Sequence, residues 1–230
     1  MGEFISAHNK HISQKATRRL MNASDPAWMS ADFDASQKVV KVFEGGYSST
    51  SQDRGNWTGG EIGAGELIGT NWGISAPVLV SELKRLGLPT PKASTMKALS
   101  YKAALGIYKR NYWAPIKGDA IKNQNLATIL YDTAVNQGVG KAQGYVKDSL
   151  GTSSYDVNKI NSANAASLSK TILDKRRATY KQIGGYALES WLGRLDVLSK
   201  GVQRNLTQTV VVALGLSAII GGIYIYTKNK

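Results

Sequence analysis

A glycine-rich stretch, GNWTGGEIGAGELIGTNWGIS at positions 55–75, constrains the fold more than any other part of the sequence. Its Gly59-Gly60 pair and its alternating apolar pattern predict a small β-hairpin or a structured loop. Most of the chain on either side shows apolar residues at helical spacing. We therefore predict a mainly α domain with a small β-hairpin or Gly-rich loop.

The helices can be placed from their start and stop signals. Before the glycine-rich stretch, Asp34 is a suitable N-cap for a helix over Ala35–Glu44, and Gly45-Gly46 ends that helix. Ser75, with Pro77 close behind it, starts the next helix. The helices predicted after the first are Ser75–Leu86, Thr95–Tyr112, Ile121–Asn136, Gly140–Ser149, Ser162–Ile183 and Leu188–Leu198.

The C-terminal segment Thr209–Tyr226 is almost wholly apolar and predicts one transmembrane helix. As a helix it is about 27 Å long, close to the hydrocarbon thickness of a bilayer. We expect a single-pass C-terminal membrane anchor, with the rest of the chain outside the bilayer. The small residues Ala213, Ser217 and Gly221 lie four apart and would allow this helix to contact another helix, as in a homo-oligomer.

Composition narrows the chemistry. The chain has 29 Lys and Arg against 16 Asp and Glu, a formal net charge of +13, which favours an anionic partner. The basic residues are scattered and no nucleic-acid motif is present, so nucleic acid is not the favoured partner. There is no cysteine, and His8 and His11 lie in a polar N-terminal stretch. Histidine-based triads and metal sites with Cys or His ligands are therefore not expected, so any hydrolysis would be run by carboxylates. No metal or organic cofactor is implied.

Glu44 is the first candidate for a catalytic carboxyl group. In the last turn of the predicted helix it faces the negative end of the helix dipole, which favours the protonated form that a general acid needs. The two glycines that follow leave room for a substrate to approach. Taken alone, this placement is also typical of an ordinary solvated glutamate.

Several sequence motifs that occur in a fixed order along the chain strengthen the case for Glu44. Phe43–Tyr47 reads FEGGY and resembles the EGGY signature of the glycoside hydrolase family 108 muramidases. The further blocks that resemble the family are DRGNWTGG (53–60), GEL (65–67), GTNWGIS (69–75), IYKRNYW (107–113), LYDTAVNQG (130–138) and closing elements at 177–180 and 191–194. The segment between Ile74 and Tyr101 departs from the family pattern, because it lacks the usual Tyr-Pro.

The resemblance implies roles for particular residues. Glu44 would protonate the glycosidic oxygen between N-acetylmuramic acid and N-acetylglucosamine. Asp53 and Thr70 would place the hydrolytic water, with Thr58 as a poorer candidate for the threonine. The residues expected to bind substrate are Tyr47, Trp72, Asp132 and Asn136. For Asp132, a structural hydrogen bond is an equal alternative.

The resemblance implies a lysozyme-like helical domain with the β-hairpin or Gly-rich loop at the active site. Together with the predicted anchor, it describes a membrane-anchored peptidoglycan hydrolase, a phage lysin for wall penetration or host lysis, with peptidoglycan and the lipid bilayer as partners. We expect the anchor to lie in a phage virion membrane or a host inner membrane, with the catalytic domain outside the bilayer, and its small-residue stripe could contact a second copy or virion proteins. The alternatives are a lytic transglycosylase, a non-enzymatic peptidoglycan-binding virion protein, and a holin-like membrane disruptor. The predicted organisation is a flexible basic arm (1–31), a catalytic region (32–120), a helical peptidoglycan-binding-like part (121–198), a linker (199–208), the transmembrane helix (209–226) and a basic tail (227–230).

Overall fold

The computed structural model describes residues 31–41, 46–185 and 187–203, and most of these residues are helical. The α-helices are α1 (Phe33–Lys41), α2 (Ala76–Arg85), α3 (Ala93–Lys97), α4 (Tyr101–Tyr108), α5 (Gln124–Gln137), α6 (Val139–Leu150), α7 (Val157–Ser162), α8 (Ala165–Ile183) and α9 (Leu188–Gln203). Short 3-10 turns cover Arg54–Asn56 and Gly118–Ala120, and a π-helical turn, Lys109–Trp113, continues α4. The mainly helical part of the predicted fold is confirmed.

Helix α5 lies at the centre of the fold. Every residue from Leu126 to Ala134 is buried, because α1, α6, α8 and α9 all pack on this helix. The Asn123 side chain accepts the Leu126 amide at its start, at 2.9 Å, and Gly138 with φ +89° ends it. The polar side chains that this helix buries, such as Thr128 and Asp132, therefore need hydrogen-bond or ionic partners on the neighbouring helices.

Polar side chains fix α1 on α5. Ser36 Oγ lies 2.9 Å from Thr128 Oγ1, and Gln124 Nε2 donates to Ser36 Oγ at 2.9 Å. The Tyr131 hydroxyl donates to Gln37 Oε1, and both residues are buried. Since buried polar groups are costly unless they are paired, these contacts define where α1 lies. The segment after α1 in the chain contains Glu44.

The predicted β-hairpin is wrong. The glycine-rich segment is an irregular loop, and among the described residues it pairs only through isolated bridges, Ser48 with Thr70, Trp57 with Leu67 and Asn71 with Ile74. The physical reason is the backbone of its glycines. Five of them have positive φ, which interrupts an extended strand: Gly60, Gly63, Gly65, Gly69 and Gly73.

The predicted single-pass membrane anchor is also corrected. Within the described ranges, no helix combines the length and the apolar character needed to cross a bilayer. The longest, α8, has 19 residues but carries charged side chains such as Lys170 and Asp174, and the 16 residues of α9 span only about 24 Å. The predicted segment Thr209–Tyr226 lies outside the described residues.

Candidate active site

The glycine-rich loop is closed by backbone hydrogen bonds. The Ser48 amide donates to the Thr70 carbonyl at 2.9 Å and the Thr70 amide donates to the Ser48 carbonyl at 2.8 Å, so the two ends of the loop lie side by side. Within it, the carbonyl of buried Asn56 accepts the amides of Ile68 and Gly69, each at 3.0 Å. These bonds hold the chain around residues 53–56 against the chain around 68–70.

Asp53 and Thr70, which were predicted to work together, both hydrogen-bond to the backbone of Gly55. Asp53 Oδ1 accepts the Gly55 amide at 2.8 Å as the N-cap of the 3-10 turn, and the Thr70 hydroxyl donates to the Gly55 carbonyl at 3.4 Å. Both side chains are partly exposed. Gly55 itself is buried, and a Cβ there would lie 3.1 Å from Asp53 Oδ1, so the site requires a residue this small.

Tyr47 forms an exposed aromatic surface beside this loop. Its hydroxyl donates to the Ile68 carbonyl at 3.3 Å, and its ring packs on Gly69. A Cβ at Gly69 would lie 2.7 Å from Tyr47 Cε2, so glycine is what lets the ring approach the backbone. The residue remains 36% exposed, so part of it is accessible to a ligand.

Trp72 is fixed by contacts of its backbone, its indole nitrogen and its ring. Its φ of +52° is rare for a residue with a side chain, its Nε1 donates to the Leu99 carbonyl at 2.9 Å, and its ring contacts Tyr101 with centroids 5.3 Å apart. The Tyr108 hydroxyl also donates to the Trp72 carbonyl at 3.0 Å. Only the partly exposed ring surface of Trp72 is therefore left for substrate.

Asp132 and Asn136 lie in the helical core instead. Asp132 has no exposed surface, and its carboxylate binds Arg176 at 2.8 Å and Arg194 at 2.6 Å, which ties α5 to α8 and α9. Burial alone would raise the pKa of Asp132, but the charges of Arg194 and Arg176 outweigh it and hold that pKa below its usual value. Asn136 Nδ2 donates to the Asp132 carbonyl at 2.7 Å. This arrangement favours the structural alternative for Asp132.

The other predicted residues divide into two cases. Glu44 lies outside the described residues, between Lys41 and Gly46 of the described chain. Thr58 uses its hydroxyl oxygen to accept the Glu66 amide at 2.8 Å, a bond internal to the loop. Among the residues that the structure describes, no cluster of three or more histidines, cysteines or carboxylates could hold a metal ion.

Two further residues at this site were missed from the sequence. Lys97 lies with its Nζ 5.2 Å from the centroid of the Tyr47 ring, and buried Asn71 donates to the carbonyls of Met96 and Lys97. Asn71 precedes Met96 by 25 residues, so no local pattern predicts the contact. The available signal was the departure of the segment after Ile74 from the family pattern, which marked that segment as bordering the site.

The comparisons support one class of protein. Residues 37–138 match the model of the family described as Glycosyl hydrolase 108, which supports a glycoside hydrolase of the peptidoglycan-degrading kind. The chain is also similar to the solved structure of SagA from Brucella abortus, with 22% identity and a TM-score of 0.58. That similarity covers 74% of this chain and 93% of SagA, and at this identity it shows the fold alone. No curated protein matches the chain.

Proposed function

We propose that the chain is an N-acetylmuramidase that cleaves the β-1,4 bond between N-acetylmuramic acid and N-acetylglucosamine. The observation that carries the proposal is the convergence of Asp53 and Thr70 on Gly55, in a loop that Ser48 and Thr70 close, and Ser48 follows Glu44 by four residues in the sequence. Glycoside hydrolysis needs one carboxyl group to protonate the leaving oxygen and a second group to support the attack. Glu44 would supply the first and Asp53 with Thr70 the second.

The geometry around Gly55 supports a water-placing role. Because the Gly55 amide holds Asp53 Oδ1, the second carboxylate oxygen is the atom that would accept a proton from water. The Thr70 bond to the Gly55 carbonyl is long, at 3.4 Å, so its hydroxyl can turn toward a water at little cost. A water molecule between them would be oriented by two hydrogen bonds, one to the free Asp53 carboxylate oxygen and one to the Thr70 hydroxyl.

The aromatic residues would hold the sugar chain. Tyr47 offers an exposed ring face fixed by its bond to Ile68, and Trp72 offers the part of its ring that Tyr101 does not cover. Rings whose polar atoms are already hydrogen-bonded bind sugars through their faces, and fixed rings lose little entropy when they do so.

Analysis of the cleavage products tests the proposal. The full chain is incubated with purified peptidoglycan, and the released ends are identified by mass spectrometry. Reducing N-acetylmuramic acid ends would support a muramidase. Anhydro ends would assign a lytic transglycosylase, the second candidate, in which the sugar itself replaces water. Wall binding without cleavage would favour the non-enzymatic alternative.

Asp53→Asn sharpens the test, because asparagine caps a helical turn as well as aspartate does. We expect product release to fall by roughly two orders of magnitude, the usual contribution of a base that positions water. Asp156→Asn is the matched control. Asp156 Oδ1 accepts the Asn158 amide at 2.8 Å, the same local bond as in the Asp53 turn, and no role in the site is proposed for it.

The role as a phage lysin stays a prediction. It is checked by asking whether the protein is present in purified virions, as wall penetration at entry requires. Its absence from virions would leave only lysis at exit.

A further inference from the structure

The backbone around Lys97 is fixed to the glycine-rich loop by side chains. Asn71, only 5% exposed, donates from Nδ2 to the Met96 carbonyl at 2.9 Å and to the Lys97 carbonyl at 3.4 Å. Two residues further along, the Leu99 carbonyl accepts Trp72 Nε1 at 2.9 Å. The backbone of Lys97 is therefore fixed beside the loop by hydrogen bonds to its own carbonyl and to those of residues 96 and 99, while its side chain is exposed.

The Lys97 ammonium lies over the aromatic surface that Tyr47 forms. Its Nζ is 5.2 Å from the ring centroid, within the range of a cation–π contact. Within the described part of the chain, no carboxylate forms an ion pair with Lys97. The pair thus combines an apolar ring face with a positive charge that has no counter-charge among the described residues.

A ligand that suits this pair has a sugar ring next to a negative charge. N-acetylmuramic acid differs from N-acetylglucosamine in one respect, a lactyl ether whose carboxyl group is either free or joined to a peptide that carries carboxylates of its own. A carboxylate accepts a strong, charge-assisted hydrogen bond from an ammonium group. An aromatic ring beside the cation fits the C–H face of the sugar.

We propose that Lys97 is a specificity-determining residue that binds the carboxylate of the lactyl-peptide substituent on N-acetylmuramic acid while Tyr47 packs on the sugar. The proposal rests on the proposed function, because it assigns a substrate feature to that same site. It predicts a preference for carboxylate-bearing wall polymer over the same polymer with its carboxylates neutralised.

The test compares variants on two substrates. The substrates are purified peptidoglycan and the same material with its carboxylates converted to amides. The variants, in the full chain, are Lys97→Met, which removes the charge at similar length, and Lys97→Arg, which keeps it. Lys92→Met is the matched control, because Lys92 is an exposed lysine that precedes the first residue of the same helix, α3.

On native wall we expect Lys97→Met to raise KM roughly threefold to tenfold with kcat unchanged, the effect of one partly exposed charged contact. On amidated wall it should match the wild type. Lys97→Arg should stay near the wild type on both, and Lys92→Met should change nothing. Glycan strands stripped of peptide then identify the source, since an effect that persists there comes from the lactyl carboxylate and one that disappears comes from the peptide.

Three outcomes would overturn the proposal: unchanged KM for Lys97→Met, an equal loss on native and amidated wall, or a lower kcat with a displaced pH–rate profile. The last would mean that Lys97 acts on the acid rather than on the substrate. If the wild type cleaves no wall, the proposed function fails separately. Co-sedimentation with the two walls then decides on Lys97, because only charge-dependent binding lost in Lys97→Met would support it.

Discussion

Asp132→Asn removes the counter-charge of two arginines in the helical core while keeping the shape of the side chain. Asp132 and Arg176 have no exposed surface, and the Arg194 side chain is 10% exposed. The carboxylate binds both guanidinium groups, so it is a shared anionic partner of two largely buried cations. In the variant two buried cations would face each other across a neutral amide.

The size of the effect follows from that burial. Removing one partner of a buried ion pair typically costs about 3–5 kcal/mol, because the remaining charge stays desolvated and unpaired. For a domain of this size each kcal/mol lowers Tm by about 2–4 °C, so we expect a fall of roughly 6–20 °C. Urea unfolding followed by far-UV circular dichroism gives the same quantity as a change in the free energy of unfolding.

Asp174→Asn is the matched control for this measurement. Asp174 pairs with Lys170 at 2.7 Å, but the two side chains are 58% and 79% exposed. An exposed pair of this kind contributes about 0–1 kcal/mol, so the control should unfold close to the wild type. If Asp132→Asn also stays within about 1 kcal/mol of the wild type, the argument that the cluster holds α5, α8 and α9 together is refuted.

The pH dependence gives a second check on the same residue. Burial raises the pKa of Asp132, but Arg194 and Arg176 lower it by more, so its folded pKa lies below its unfolded value of about 3.9. The stability it contributes is therefore present above that unfolded value and is lost as pH falls through the folded pKa. The difference in the free energy of unfolding between wild type and Asp132→Asn should be largest near pH 7 and should decrease at strongly acidic pH.

Two further substitutions test the loop and the docking of α1. Gly69→Ala should lower the free energy of unfolding by about 2–4 kcal/mol and reduce wall cleavage, because its Cβ would lie 2.5 Å from the Ser48 carbonyl oxygen at a φ of +87°. Gly63→Ala is the control, since Gly63 has a φ of +80° but open space around it, and it should cost only about 1–2 kcal/mol. Equal costs of the two substitutions in urea unfolding would contradict the packing argument. Tyr131→Phe should cost about 1–3 kcal/mol in the same assay, since it leaves the buried Gln37 oxygen without its donor, and an unchanged midpoint would contradict that role.

Helix positions followed well from the sequence where local signals decide them. The predicted Ser75–Leu86 helix is observed as Ala76–Arg85 with Ser75 as its N-cap, and the predicted Leu188 start is observed as well. Caps and prolines act within one turn of the chain, so a sequence displays them directly.

The predicted helix Thr95–Tyr112 shows where local reasoning fails. The structure divides it into α3 and α4, because Asn71 and Trp72 bind the carbonyls of residues 96, 97 and 99, which a continuous helix would use internally. Ser100 then caps the new start by accepting the Ala103 amide at 3.2 Å. Tertiary hydrogen bonds override helix propensity here, and a local pattern does not contain them.

For the site, the structure gives the positions of the predicted residues, while their roles stay predictions. Asp53 and Thr70 were predicted to act together, and the structure brings both to Gly55. The partners of Asp132 lie 44 and 62 residues further along the chain, so its spacing on the same helix as Asn136 carried no sign of them. Buried ion clusters of this kind become visible only once the helices are packed.

Glu44→Gln tests the central claim most directly. The full-length variant is incubated with purified peptidoglycan beside the wild type and beside Glu61→Gln, an exposed glutamate of the glycine-rich loop. Glutamine cannot donate the proton that the leaving oxygen needs. We expect release of reducing N-acetylmuramic acid ends from the wild type and from Glu61→Gln, and none above background from Glu44→Gln. Cleavage by Glu44→Gln at the wild-type rate would contradict the account.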